Sequence, residues 1–182
     1  MISEQAQTGI DDIFKNAVMA NITVSPGDTC KIEPMHDAEE ICEHEFSILT
    51  ISSTSFRLMT LFYFNRDDAT KKHFIRGSDN VDGDDHAFSD AFMEYCNICC
   101  GVMNRVLNKN YPYLGMSTPY VLLTPCLHFI SSLEPGYVKH FRITINDSLI
   151  LHATLCVCDY DSVDFTVDSD EAEENTGELE LF

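Results

Sequence analysis

The residues best suited to chemistry lie on one narrow stripe of a predicted helix. At about 100° per residue they fall within a face about 80° wide. A helix face that only contacts water is usually rich in Lys and Glu four residues apart, whereas this stripe has one Asp, one Glu, three Asn and a Gly. Asn and Gly are poor helix formers, so they indicate a face that meets a partner, although a polar face with incidental residues is the alternative. The stripe consists of Asp90, Glu94, Asn97, Gly101, Asn104 and Asn108.

The helix that carries this stripe is predicted from Asp84 to Asn110. Two aspartates place negative charge in its first turn, no proline interrupts it, and residues 108–112 form a stop signal. A glycine in mid-helix costs roughly 1 kcal/mol relative to alanine, so Gly101 indicates a place where a bulky partner group comes close. The rest of the circumference is apolar and is expected to be buried: Phe88, Ala91, Phe92, Tyr95, Cys96, Ile98, Cys99, Val102, Met103, Val106 and Leu107.

The order and spacing of four residues resemble the signature of the CheC/CheX/FliY family of response-regulator phosphatases. They are Asp90, Glu94 and Asn97, and then Pro119 after 21 further residues. The family has one residue more in that last gap, so a short deletion in the loop or a different proline is possible. The resemblance is specific over residues 87–125 and loose over 9–158.

The resemblance implies hydrolysis of the aspartyl phosphate of a receiver domain in chemotaxis or two-component signalling. The receiver domain supplies Mg²⁺ and a lysine, so no cofactor is expected on this chain. Phosphoryl transfer is catalysed mainly by positioning and charge stabilisation. A carboxamide donates and accepts hydrogen bonds without adding negative charge, which makes Asn97 the candidate to orient the attacking water. Glu94 would pair with the receiver's lysine.

The other residues of the pattern have supporting roles in this interpretation. Asp90, Gly101 and Asn104 would complete the docking face, and Pro119 would be structural. A module that docks a receiver domain, or another signalling partner, without hydrolysis is the alternative function. The resemblance also implies a homodimer formed by pairing of edge strands.

The predicted elements repeat in the same order in two halves, at about 9–65 and 84–158 of a domain over residues 1–160. The pattern predicts an α+β fold in which duplicated helix–strand–hairpin units form one antiparallel sheet with two long helices on one face. Residues 1–8 are expected to be frayed, and 65–83 and 111–118 to be loops. The other predicted elements are a helix over 9–21, strands over 30–33 and 120–127, and hairpins of 46–52 with 56–64 and of 137–145 with 149–158.

Alignment of the two helices predicts a single site. Asp11 then matches Asp90, but Lys15 stands opposite Glu94 and Val18 opposite Asn97. The first helix therefore lacks the Glu and Asn pair, as in the CheX branch of the family.

Composition limits the partners. A formal net charge of −19 argues against nucleic acid and anionic membrane surfaces, since both would be repelled. Residues 159–182 include ten Asp and Glu and no Lys or Arg, which predicts an acidic tail over 161–182 that is solvated at least from Asp168 onward. No apolar run is long enough to span a bilayer and no basic-then-apolar leader is visible, so a cytoplasmic protein is expected.

The eight cysteines are expected to be reduced, buried and inert. The alternative is zinc, because Cys96 and Cys99 have CxxC spacing. A helical CxxC lacks the turn of most structural zinc sites, and Cys156 and Cys158 share one face of a strand. No metal site is therefore predicted.

Overall fold

The strands of this protein form one sheet whose order has a pseudo-twofold symmetry between the first and second halves of the chain. The computed structural model describes residues 1–23, 27–75 and 85–167. All pairings between its strands are antiparallel, in the order β1-β6-β7-β3-β2-β4, and β5 also pairs with β2. The elements are α1 (Glu4–Ile22), β1 (Cys30–Met35), β2 (Glu45–Ser52), β3 (Phe56–Phe64), α2 (Asp68–Phe74), α3 (Asp85–Leu107), β4 (Gly115–Met116), β5 (Tyr120–Leu123), a 3₁₀ helix (Thr124–Leu133), β6 (Tyr137–Ile145) and β7 (Leu149–Asp159).

This order confirms the predicted duplicated α+β fold. If β1, β2 and β3 exchange places with β5, β6 and β7, the sheet has the same order from the opposite edge. Both predicted hairpins are present, and Asn146 and Asp147 form the second turn with φ of 51° and 52°. Asn and Asp tolerate this left-handed region better than most residues, which is why they turn the chain here.

The two long helices cover one face of the sheet and pack against each other. Their apolar stripes and alternate residues of β2, β3, β6 and β7 form the main core. The thiol of Cys99 on α3 donates to the carbonyl oxygen of Ala17 on α1 at 3.6 Å. Each large apolar side chain buried there contributes about 1.5–3 kcal/mol. The core therefore fixes which side of α3 faces solvent.

The opposite face of the sheet lies under the 3₁₀ helix. Leu127 and Ile130 pack on a second apolar cluster there. The strand predicted over 120–127 is wrong beyond Leu123, because Pro125 cannot donate to a ladder and instead lies in the first turn of the 3₁₀ helix. The second cluster consists of Phe46, Ile48, Met59, Leu61, Tyr63, Cys156 and Cys158.

Two segments predicted to lack regular structure contain helices. The first helix begins at Glu4, since the Ser3 hydroxyl accepts from the Ala6 amide at 3.1 Å and caps it. α2 lies in the predicted loop 65–83, where the Asp67 carboxylate accepts from the Thr70 amide at 3.0 Å. Residues 76–84, which include the predicted first residue of the central helix, lie outside the described residues.

The chain beyond β7 packs on the domain instead of leaving it at residue 160. We call residues 163–167 the strap. Val163 is fully buried and pairs with Ile2, and Phe165 is 7% exposed. A Cβ on Gly9 would lie 3.1 Å from Val167 Cγ2, so the glycine allows the strap to approach α1 closely. The predicted acidic tail from Asp168 lies outside the described residues.

Two truncations test the strap. A chain ending at Val167 should keep the full free energy of unfolding, because the removed residues are strongly acidic and have little apolar surface to bury. A chain ending at Tyr160 should lose about 2–5 kcal/mol, since it loses the buried side chains of Val163 and Phe165. Urea denaturation measures both, and equal stability of the two truncations would contradict a packed strap.

Candidate functional site

Glu94 and Asn97 lie one turn apart on the outer side of α3. Glu94 is exposed and Asn97 is half-buried. Neither side chain forms a hydrogen bond or an ion pair with another residue in the described part of the chain. The rise of a helix separates them by roughly 4.5 Å along its axis. An unpaired carboxylate and an unengaged carboxamide are therefore available together to a partner.

The rest of the predicted stripe is less uniform. Asp90 is exposed, and its carboxylate lies 3.0 Å from His86 Nδ1. A Cβ on Gly101 would have no neighbouring atom within 4 Å, so the helix surface is open there. Asn104 is half-buried, and its Oδ1 has no hydrogen-bond partner among the described residues. Because the space beside Gly101 is open, packing within this chain does not require a glycine at this position.

One residue assigned to the buried sector is on the surface. Ile98 is 42% exposed, although its apolar side chain predicted burial. On a helical wheel it lies close to Glu94, one turn along the helix. The exposed arc of α3 is centred towards Glu94 and Ile98, which leaves Asn97 and Asn104 at its edge.

A single guanidinium group fixes the start of α3. Arg66 Nε and Nη2 donate to the carboxylate of Glu45 on β2 at 2.7 and 3.2 Å. Arg66 Nη1 donates to Ser89 Oγ on α3 at 2.8 Å. The Lys71 ammonium lies 2.5 Å from the Asp85 carboxylate, and this hydrogen bond lowers the pKa of Asp85. β2 and α2 thus hold the first turns of α3.

Aromatic rings hold the inner side of the same helix. Phe92 lies 4.5 Å from Phe64 on β3 and 5.0 Å from Phe74 on α2, between ring centroids. Tyr95 lies 5.6 Å from Phe62 on β3. Aromatic pairs of this kind contribute about 0.5–1.5 kcal/mol beyond their buried area. These contacts fix the rotation of α3 and so point Glu94 and Asn97 outward.

Pro119 lies where one strand carries an extra residue. Ile51 pairs with Met116 and Ile48 with Tyr120, so three steps along β2 match four steps from β4 to β5. The extra residue makes a bulge, and proline suits a bulge because it has no N–H to donate. This position fits the structural role expected for Pro119.

The corresponding face of α1 does not offer a second site. Val18, which matches Asn97, is fully buried. The Tyr137 hydroxyl donates to Asp11 Oδ1 at 2.6 Å, and burial raises the pKa of the Asp11 carboxyl. Lys15 pairs with Asp12 at 3.2 Å. These α1 side chains are therefore buried or paired with other residues of this chain.

Five of the eight cysteines are buried, whereas Cys42 and Cys126 are exposed and Cys30 is half-buried, so the expected burial is wrong for these three. Burial raises the pKa of Cys100 and of Cys156 to about 12, which keeps both thiols protonated at neutral pH. In the described ranges, no three or more His, Cys, Asp or Glu side chains are grouped as metal ligands. No helix within those ranges is long and apolar enough to cross a membrane.

Sequence reasoning missed three residues that surround Glu94. Ile98, Asn21 on α1 and Phe74 on α2 line a depression beside the carboxylate. The Asp67 cap was a visible signal for α2. Nothing in the sequence indicated that the ends of α1 and α2 meet the middle of α3, because that contact depends on how the helices pack.

Neither a family model nor a curated protein matches this sequence. Among solved structures, CheX from Vibrio vulnificus is 14% identical with a TM-score of 0.62, over 81% of this chain and 98% of that one. CheX from Desulfovibrio desulfuricans is 13% identical with a TM-score of 0.57, over 81% and 98%. A chain of the CheX–CheY–BeF3–Mg²⁺ complex from Borrelia burgdorferi is 11% identical with a TM-score of 0.56, over 83% and 96%. This protein has the fold of these CheX proteins, as the resemblance implied.

The two glycines in the long helices provide a matched test of the open surface. Gly101→Ala should raise the free energy of unfolding by about 0.5–1 kcal/mol, because it improves helix propensity and the new Cβ meets nothing. Gly9→Ala should give less stability than Gly101→Ala, since its Cβ would press on the strap. Chemical denaturation measures both variants. A loss of stability in Gly101→Ala would show that this side of α3 is covered.

Proposed function

We propose that this chain belongs to the CheC/CheX/FliY family and hydrolyses the aspartyl phosphate of a CheY-like receiver domain. The observation that carries the proposal is the outward-facing Glu94 and Asn97 pair, which no described residue engages. The CheX fold supports it, and one similar structure is a complex that contains CheY. The proposal includes a role in chemotaxis signalling and a cytoplasmic location.

Asn97 orients the attacking water in this proposal. Its Oδ1 accepts a hydrogen bond from the water and directs the water oxygen at phosphorus, in line with the leaving aspartate oxygen. The water oxygen bonds to phosphorus while the bond between phosphorus and the carboxylate oxygen breaks. The water's protons leave with the inorganic phosphate or pass to solvent, and the receiver's aspartate is restored. The neutral amide adds no charge beside the phosphoryl oxygens, whereas a carboxylate there would repel them. Mg²⁺ would be bound by the receiver domain and would stabilise the phosphoryl charge.

Glu94 docks the partner. It is exposed and has no cation of its own among the described residues, so it is free to pair with the receiver's lysine. This contact sets the register in which Asn97 meets the phosphoryl group. Glu94 is not a general base in this proposal, because its role is to hold a cation rather than to take a proton.

The docking face extends along α3 on both sides of this pair. Asp90 lies one turn towards the start of the helix, and the contact of its carboxylate with His86 Nδ1 orients it. Gly101 leaves the surface low enough for the partner backbone to approach. Asn104 is the half-buried residue at the far end of this face, and its Oδ1 is buried without a hydrogen-bond partner among the described residues. Gly101→Ala should therefore weaken docking even though it stabilises the fold.

We also propose a homodimer through the β5 edge. The chain from 110 to 133 contains no Asp, Glu, Lys or Arg. Tyr120 and Leu123 of β5 are 49% and 60% exposed. Two chains of charge −19 repel each other least at a charge-free surface, and an edge strand without Lys or Pro favours pairing. Sedimentation should give twice the 20.6 kDa chain mass, and a monomer at all concentrations would contradict the dimer.

Two substitutions on one face test the assigned roles. Asn97→Ala should lower the dephosphorylation rate on the order of 10²-fold or more with nearly unchanged affinity, because it removes a group that acts in the transition state. Glu94→Ala should mainly weaken affinity. Glu94→Lys should weaken affinity further, because it places a second cation beside the receiver's lysine. Added salt should reduce that extra loss, because it screens the repulsion. Rates come from decay of phosphorylated receiver, and affinities from titration.

The control is Asn108→Ala, because Asn108 is an exposed asparagine three turns beyond Asn97. It should leave both rate and affinity at parental values. All variants should melt near the parent, since no described residue bonds to either tested side chain. Parental hydrolysis by Asn97→Ala would contradict the phosphatase mechanism and favour a docking module without hydrolysis.

A further inference from the structure

A shallow depression of about 220 Å³ lies against Glu94 where three helices meet. Its apolar lining includes Phe74 of α2 and Tyr95 and Ile98 of α3. The rings of Phe74 and Tyr95 lie 5.3 Å apart between centroids. Ile98 is 42% exposed, so an apolar surface is presented to solvent directly beside the proposed docking carboxylate.

Two polar groups at this depression can accept hydrogen bonds, the Glu94 carboxylate and the Asn21 side-chain oxygen. Asn21 Nδ2 donates one of its two N–H groups to the Ala17 carbonyl oxygen at 2.7 Å, and no hydrogen bond to its Oδ1 occurs among the described residues. The Glu94 carboxylate has no ion-pair partner in the described part of the chain. No Lys, Arg or His is among the lining residues. An occupant with positive charge, hydrogen-bond donors and an apolar stem would therefore complement the unpaired carboxylate and the apolar lining.

We propose that the depression binds an arginine side chain of the receiver domain, in addition to the lysine that pairs with Glu94. This inference rests on the proposed function. The aliphatic stem of arginine would pack on Ile98, and its planar guanidinium would lie against the aromatic lining while donating to Glu94 and to Asn21 Oδ1. A carboxylate has enough lone pairs to accept from both cations.

The arginine would make the depression a specificity determinant. The lysine and the aspartyl phosphate serve the receiver's own phosphorylation chemistry. Contacts to these two groups therefore discriminate poorly between one receiver and another. A second basic side chain at a fixed distance from that lysine would discriminate better between receivers. A receiver without it would leave the Glu94 carboxylate with one cation instead of two and the apolar lining exposed to water. The affected quantity is affinity rather than the chemical step.

A pair of opposite charges at position 98 tests the proposal. Ile98→Arg should raise KM for the phosphorylated receiver about tenfold, because it sets like charges together. Ile98→Glu should keep KM within about twofold of the parent, since attraction replaces the lost apolar contact. Neither should change kcat. The same two substitutions at Ile150 on β7, which is 49% exposed, correct for the change in net charge.

Two results would contradict the proposed arginine contact. An equal rise in KM for both Ile98 variants would identify an apolar contact, and values equal to those of the Ile150 variants would place the depression outside the interface. The same variants are titrated against the beryllofluoride form of the receiver, which measures affinity without hydrolysis. Failure of the phosphatase proposal would appear as absent turnover by the parent, so it is separable from failure of this inference.

Discussion

The proposed function depends on the fixed rotation of α3. A carboxylate and a carboxamide can meet a partner together only if their helix cannot roll, and here the inner side is held by aromatic packing against β3 and α2. The Arg66 guanidinium joins β2 to the first turns of the helix through Glu45 and Ser89. The outward direction of Glu94 and Asn97 follows from these contacts.

The two helices related by the pseudo-twofold symmetry differ in role: α1 is structural, whereas α3 carries polar side chains that face solvent. α1 and α3 occupy equivalent places on the sheet, yet the α1 positions that match the pair are a buried Val18 and a lysine paired with Asp12. The strap crosses near Gly9 and covers part of α1. One half therefore serves the core, while the other leaves unpaired polar groups at its surface. An acidic surface with a free carboxylate suits a partner that brings cations.

Local patterns in the sequence predicted most of the fold. Both hairpins, the long α3 and the duplicated order depend on periodicity and turn residues, which act over short stretches. Burial of Ile98 was predicted from its side chain alone, and its exposure depends on where α1 and α2 end. The packing of the strap could not be predicted, because the burial of Val163 and Phe165 depends on distant contacts with the start of the chain and the local sequence is acidic. The site pattern was visible, but the depression beside it was not.

The most direct measurement is release of inorganic phosphate from a panel of phosphorylated receiver domains, each with and without the parent protein. We expect the protein to shorten the lifetime of the aspartyl phosphate on at least one receiver that it binds, in proportion to the amount of protein and with turnover beyond one equivalent. A receiver panel in which binding occurs and every aspartyl phosphate keeps its intrinsic lifetime would contradict this expectation.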